Sequence, residues 1–312
     1  MKNRNLGDSG LIVSIVGLGC NNFGGRIDQA ASRLVIDKAI DLGITLFDTA
    51  DVYGDRGGSE TILGDVLGSR RHDIVLATKF GAGMDDAGKL QGACRKYIVT
   101  AVEASLKRLK TDWIDLYQLH TPDSKTPMEE TLRALDDLIR QGKVRYIGCS
   151  NVPAWGVADA HWISKSLGIN GFVSCQDEYS LIVRDVEKEL IPATKAYGLG
   201  VLPYFPLASG LLTGKYKRGV MPEGARLTKA PRLADRYINE KNWVIVEALE
   251  AFANERGHSL LELAFSWLAS QPTVSSVIAG ATKPEQVEQN VTAASWELTS
   301  AELEEIGKIL VA

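Results

Sequence analysis

The feature that most constrains this chain is a rhythm. A short run rich in Val, Ile, Leu and Phe leads into a polar loop, then into a stretch with helical apolar spacing, and the unit recurs along almost the whole length. Eight runs read as strands: residues 15–18, 44–47, 74–78, 116–119, 144–148, 172–175, 200–204 and 276–278. Nearly continuous apolar runs mark strands buried on both faces, and strands separated by helices pair in parallel beneath those helices. Eight such units favour a closed (β/α)8 barrel over an open sheet.

The punctuation agrees. Helical spacing covers residues 31–42, 97–109, 128–141, 155–167 and 187–197, and Gly43, Gly142, Gly168 and Gly198 follow helical stretches just before strands, where a left-handed cap is needed. Pro127 and Pro153 stand near helix starts, where a missing N–H costs nothing. Residues 2–13 hold two short strand-like pieces around Gly7-Asp8-Ser9-Gly10, a hairpin. The rhythm breaks once, at residues 206–237, a Gly-, Pro-, Lys- and Arg-rich segment that reads as a large loop. Helices at 238–255 and 260–269 precede the eighth strand, and one at 301–310 ends the pattern. The expected fold is an α/β TIM barrel with an N-terminal β-hairpin and extra helices before strand 8 and at the C-terminus, one domain over residues 1–312.

Composition removes several functions. With 312 residues, 45% hydrophobic, and a formal charge of −4, the chain can build a large core but offers no electrostatic reason to bind nucleic acid or an anionic membrane. No apolar run approaches membrane-spanning length, and the start Met1-Lys2-Asn3-Arg4-Asn5 lacks the apolar core of a secretion signal. Cys20, Cys94, Cys149 and Cys175 are scattered, as are His72, His120, His161 and His258. They read as free thiols in a reducing compartment and give no metal-ligand spacing. A cytoplasmic protein without a metal is expected.

Ligands of parallel α/β folds sit at the carboxyl ends of the strands. Those ends carry Asn21-Asn22-Phe23, Asp48 with Tyr53 beyond it, Lys79-Phe80, Gln118-Leu119-His120, Ser150-Asn151, Gln176, Tyr204 and Gly280-Ala281-Thr282. Singly, each has a structural explanation: Asp48 as a helix cap, Lys79–Asp48 as a buried ion pair, His120 as a satisfied core histidine. Asp, Lys and His at three successive strand ends, converging on one mouth, point to chemistry instead. A tyrosine has an ordinary pKa of about 10, too high for an efficient acid at neutral pH. A nearby Lys79 ammonium would lower it, Asp48 would hold Lys79 charged and oriented, and His120 could orient a carbonyl oxygen.

With these residues in view, the sequence resembles the aldo-keto reductases. The likeness rests on Phe47-Asp48-Thr49-Ala50-Asp51-Val52-Tyr53-Gly54 with Ser59-Glu60, Thr78-Lys79, Asp115-Leu116-Tyr117-Gln118-Leu119-His120, Gly148-Cys149-Ser150-Asn151, and the run from Ile278 to Asn290. These motifs follow one another from the first strand to the segment after the last. The resemblance implies an NADP-dependent oxidoreductase of the EC 1.1.1 type, interconverting aldehydes or ketones, sugars or small polar carbonyls among them, with alcohols. It implies Tyr53 as general acid/base, with Asp48, Lys79 and His120 completing a catalytic tetrad. It implies Ser150, Asn151 and Gln176 on the nicotinamide carboxamide and Tyr204 stacked on its ring. Pro206, Leu207, Ser209, Gly210, Leu211 and Lys215 would lie along the pyrophosphate, and Gly280, Thr282, Lys283, Gln286, Gln289 and Asn290 around the adenosine.

Asn21, Phe23, Tyr53, Phe80 and His120, together with Asn22 and parts of the 206–237 segment, are the expected substrate walls. Many relatives place arginine where this chain has Gln286, so NADP(H) is expected to be preferred over NAD(H) by a modest margin, with NAD(H) the weaker alternative. The last helix stands close to Ala312, so no C-terminal loop is expected over the pocket, which should be open and tolerant of small substrates. A monomer or weak homo-oligomer is expected. Gly17-Leu18-Gly19-Cys20-Asn21-Asn22 lacks the third glycine of a Rossmann fingerprint, and the phosphate-loop-like run from Gly210 to Tyr216 has Tyr216 where magnesium needs Ser or Thr. The rival reading is a non-catalytic relative such as a potassium-channel β subunit, which keeps the fold and the cofactor for sensing.

Overall fold

The computed structural model describes residues 1–311; Ala312, the last residue of the expected domain, lies outside the described residues. A two-stranded antiparallel hairpin, β1 (Asn3–Asn5) and β2 (Ile12–Ser14), precedes eight parallel strands: β3 (Val16–Gly19), β4 (Leu46–Asp48), β5 (Val75–Phe80), β6 (Ile114–Leu119), β7 (Val144–Ser150), β8 (Ser174–Gln176), β9 (Gly200–Val201) and β10 (Val277–Gly280). They are ordered β10-β3-β4-β5-β6-β7-β8-β9. Beyond the short β9 the ring is completed by backbone bonds, Val201 N to Thr273 O (2.8 Å), Ser275 N to Val201 O (3.0 Å) and Ile278 N to Pro203 O (3.1 Å). The expected (β/α)8 barrel is the observed one.

The core lies in two places, as strand alternation demands. Outward-facing residues pack under the helices in one large apolar cluster. Inward-facing Leu46, Ala77, Leu116, Leu202 and Ile278 form a smaller cluster inside the barrel, which Leu6 and Val13 of the hairpin segment complete. The barrel's interior is therefore apolar where the hairpin closes it, and its polar inward residues follow toward the carboxyl ends of the strands.

The outer helices are α1 (Gln29–Asp41), α2 (Tyr53–Leu67), α3 (Arg95–Leu109), α4 (Met128–Arg140), α5 (Ala154–Leu167), α6 (Leu190–Tyr197), α7 (Arg226–Lys229), α8 (Pro231–Tyr237), α9 (Glu240–Glu255), α10 (Leu260–Ser270), α11 (Pro284–Ala293) and α12 (Ser300–Ile309). Asp28 caps α1, Asn239 caps α9, and Ser259 and Thr299 form capping boxes with Glu262 and Glu302. The four glycines expected as caps all have positive φ, between 62° and 78°. None of the helices is long and apolar enough to cross a membrane.

Two departures bear on the site. The helical stretches read from the sequence include none at Tyr53, whereas α2 starts there. Its entry is not regular, because Gly54, Asp55, Arg56 and Gly57 are all left-handed, with φ from 58° to 117°. The segment 206–237, read as loop, contains a 3₁₀ stretch (Ala208–Thr213), α7 and α8. These pieces are too short to show helical apolar spacing, and packing holds them: Leu211, Leu212, Tyr216, Leu227 and Tyr237 are buried in the main cluster.

Candidate active site

β4 ends in Asp48, whose Cα partner on β5 is Ala77; Lys79 stands two residues further along β5, so it shares Ala77's inward face. The next inward position round the ring is Gln118, the register partner of Lys79 on β6. These residues meet inside the barrel. Lys79 Nζ donates to Asp48 Oδ2 (2.6 Å) and Thr49 O (2.9 Å). Asp48 Oδ1 accepts from Gln118 Nε2 (3.1 Å) and from Gln176 Nε2 (2.8 Å), which comes from β8. Asp48 and Lys79 are almost wholly removed from water. Burial works against the Lys79 charge, but Asp48 and Tyr53 outweigh it and the ammonium is held above its ordinary value.

Tyr53 stands over this pair with its ring centre 5.1 Å from Lys79 Nζ. Burial pushes the phenol above its ordinary value. Lys79 pulls it down by less, so the net shift is opposite to the one expected from the Lys79 charge alone. The His120 ring lies edge-on to Tyr53, centres 5.7 Å apart and planes at 84°. Burial, then the Lys79 charge, lowers the His120 pKa to about 3, so its imidazole is neutral at working pH. Its Nδ1 is buried without a partner among the described residues. The array thus offers a neutral phenol backed by a cation, beside a neutral imidazole: groups suited to donating a proton and a hydrogen bond to a carbonyl oxygen.

Asp48, Tyr53 and His120 open onto a cavity of about 1310 Å³. The same cavity is lined by Ser150, Asn151, Gln176, Tyr204, Pro206, Leu207, Ser209, Gly210, Lys215, Gly280, Thr282, Lys283, Gln286, Gln289 and Asn290. Leu211 is the exception among the residues expected to hold the cofactor: it is buried in the apolar core and does not reach the cavity. Ser150 and Gln176 are register partners, and Ser150 Oγ donates to Gln176 O (2.8 Å). Asn151, held at φ 59°, bonds Tyr204 OH (2.8 Å) through Oδ1 and His120 O (3.0 Å) through Nδ2. Gln286 Oε1 accepts from the Thr282 backbone N (2.7 Å), at the entry to α11.

Of the expected substrate walls, Asn21, Asn22, Tyr53 and His120 line the cavity, but Phe23 and Phe80 do not. Both are fully buried. Phe80 follows inward-facing Lys79, so alternation turns it out toward the helices, where its ring meets that of Tyr117 (4.7 Å). Sequence reasoning missed Arg26 and did not single out Arg226 within the 206–237 segment; both are on the cavity wall. Arg226 lies 4.9 Å over the Phe205 ring and its Nε is buried without a partner among the described residues. Their basic character was readable; their approach to the cleft depends on loop folding that has no local signature.

A family model described as the aldo/keto reductase family matches residues 15–311. The chain is also similar to a protein of Oryza sativa subsp. japonica named "Probable voltage-gated potassium channel subunit beta", 40% identical over 303 residues, or 94% of this chain and 91% of that protein. An Arabidopsis thaliana protein of the same name is 39% identical over 303 residues, again 94% and 91%.

Proposed function

The chain belongs to the aldo/keto reductase family, and we propose that it is an NADP-dependent carbonyl reductase in which Tyr53 is the proton donor. One observation carries the reading. Tyr53, His120 and the buried Asp48–Lys79 pair meet on the same cavity as a wall suited to a dinucleotide.

The wall fits that group by its charges. Among the described residues the cavity is lined by Arg26, Lys215, Arg226, Lys229 and Lys283, against a single carboxylate, Asp48, which is already paired. A buried guanidinium nitrogen with no partner, as at Arg226, is costly and suits an anion. Ser150, Asn151 and Gln176 would hold the carboxamide, Tyr204 would offer its ring to the nicotinamide, and the Pro206–Lys215 and Gly280–Asn290 segments would flank the phosphates and adenosine. When bound, the nicotinamide supplies the hydride. The chain's own residues do the rest: His120 orients the carbonyl oxygen, Tyr53 Oη gives it a proton, and Lys79, fixed by Asp48, stabilises the tyrosinate left behind. The cavity suits aldehydes, sugars and other small polar carbonyls.

Oxidation of NADPH by 4-nitrobenzaldehyde or methylglyoxal tests this. Many turnovers per protein are expected. The names of the relatives favour a second reading, a cofactor-binding regulatory subunit with residual activity. Oxidation of about one equivalent of bound NADPH, followed by arrest, would support that reading and overturn the first.

A further inference from the structure

We infer that Gln118 is a positioning residue of this site: it steadies Asp48 and fixes the amide of Gln176 so that Gln176 Oε1 faces the nicotinamide side of the cleft. The inference rests on the reductase reading for its kinetic part and on the cavity alone for its binding part.

An ionised carboxylate has no donor, so any amide that bonds it must present its NH2 group. Two do so at Oδ1, Gln118 (3.1 Å) and Gln176 (2.8 Å), while Oδ2 is taken by Lys79 (2.6 Å). Gln176 Nε2 makes a second, longer bond to Gln118 Oε1 (3.4 Å). Both protons of the Gln176 amide are thereby directed at Asp48 and Gln118. Its oxygen is left free, and Gln176 lines the cavity beside Ser150 and Asn151. An amide held in that sense presents an acceptor to a carboxamide NH2. The reverse orientation would turn the Gln176 oxygen toward the Asp48 carboxylate.

The backbone is shaped for this contact. Gln118 on β6 and Gln176 on β8 are separated by β7, where the register partner of Gln118 is Gly148. A Cβ at Gly148 would stand 2.4 Å from Ser174 Oγ and 3.3 Å from Gln118 Cγ. The absent side chain leaves room for Gln118 to reach past β7 to Gln176, while Asp48 stands on its other side, on β4. Asp48, Gln118 and Gln176 are each at most 3% exposed, so water cannot replace a lost partner freely.

Gln118→Leu removes both bonds at similar size. The expected result is a dinucleotide dissociation constant raised about tenfold, as for loss of a hydrogen bond near a charge, with that of 2′,5′-ADP, which lacks the nicotinamide, unchanged. In Gln118→Glu, the introduced carboxyl sits against Asp48 and shares a proton with it. Dinucleotide binding should recover as pH falls and that carboxyl protonates, while the leucine variant stays flat with pH. kcat should follow binding in both variants. Equal loss for dinucleotide and 2′,5′-ADP, or unchanged affinity for both, would overturn the assignment, as would a glutamate variant insensitive to pH. A wild-type protein that binds NADPH but reduces no carbonyl defeats the reductase reading, and the comparison of the two ligands still decides the role of Gln118.

Discussion

Lys79 Nζ lies 2.6 Å from Asp48 Oδ2, and the two side chains are 0% and 4% exposed. Burying such a pair gains little stability by itself, because desolvation consumes most of the attraction, yet removing one partner leaves a bare buried charge and costs about 3–5 kcal/mol. Lys79→Met should therefore unfold at markedly lower temperature and lose turnover by about a hundredfold or more, the usual range for an acid deprived of its support. Adding Asp48→Asn should recover part of the stability and none of the turnover. Calorimetry and steady-state rates on the three variants check this. Full stability in the single mutant would mean that the pair is not buried as described.

Tyr53→Phe removes the proposed proton donor and leaves the cavity wall intact. Turnover should fall by about a hundredfold or more, with little change in NADPH dissociation constant. Because burial raises the phenol above its ordinary value, the acid form persists through neutral pH, and reduction by the wild-type protein should decline only above about pH 10. With the His120 pKa lowered to about 3, no inflection from imidazole is expected between pH 5 and 8. A pH profile of kcat/KM tests both statements, and a histidine-like inflection near 6.5 would contradict the second.

The barrel was legible because its strands are continuous apolar runs between well-capped helices, a signal that survives without tertiary knowledge. Asp48, Lys79 and His120 were legible for a related reason, since polar residues that abruptly end apolar runs stand out. Phe80 was misplaced because a strand end read as a list of residues ignores the alternation that sends Lys79 inward and Phe80 outward. α2 was missed because four left-handed residues, two of them not glycine, separate Tyr53 from the regular helix. Gln118 was visible in the sequence but silent, because its partners Asp48 and Gln176 lie 70 and 58 residues away and meet it only through the closure of the sheet. Arg226 belongs to a segment whose fold is set by the apolar side chains it buries, not by local spacing.

Asp177, next to Gln176, carries a buried Oδ2 without a partner among the described residues. Burial raises its pKa from 3.8 to about 7, the nearby Asn151 backbone opposing this by less. Between these values the folded chain keeps a proton that the unfolded chain has released, so this group's contribution to stability is present at low pH and lost as pH rises through about 7. Asp177→Asn should thus be close to neutral at pH 4 and should raise the unfolding temperature at pH 8. Melting curves at the two pH values decide it; an equal fall at both would show that the Asp177 side chain makes a bond, independent of its charge, that the asparagine cannot.

The proposed preference for NADPH turns on Lys283 and Gln286. Gln286 Oε1 accepts from Thr282 N (2.7 Å) and Thr282 Oγ1 (3.2 Å), so donors at the entry to α11 that could face a 2′-phosphate already serve a neutral amide. Lys283 is the N-cap residue of α11 and lines the cavity. Of the two acids of α11, Glu285 and Glu288, the latter is drawn to Lys38 on α1 (2.7 Å), which lessens its opposition to an anion. A helix N-terminus with an unpaired cation favours phosphate, but without the bidentate grip a guanidinium gives. NADPH is accordingly expected to bind more tightly than NADH by a modest factor. Lys283→Glu should weaken NADPH more than NADH, because reversing the charge acts on the phosphate. Gln286→Arg should release the Thr282 donors, add a guanidinium, and strengthen NADPH by about tenfold, the scale of a hydrogen bond to a charged group, with little effect on NADH. Dissociation constants of both cofactors for the three proteins settle the matter. Parallel changes for the two cofactors would place Lys283 and Gln286 away from the 2′-phosphate.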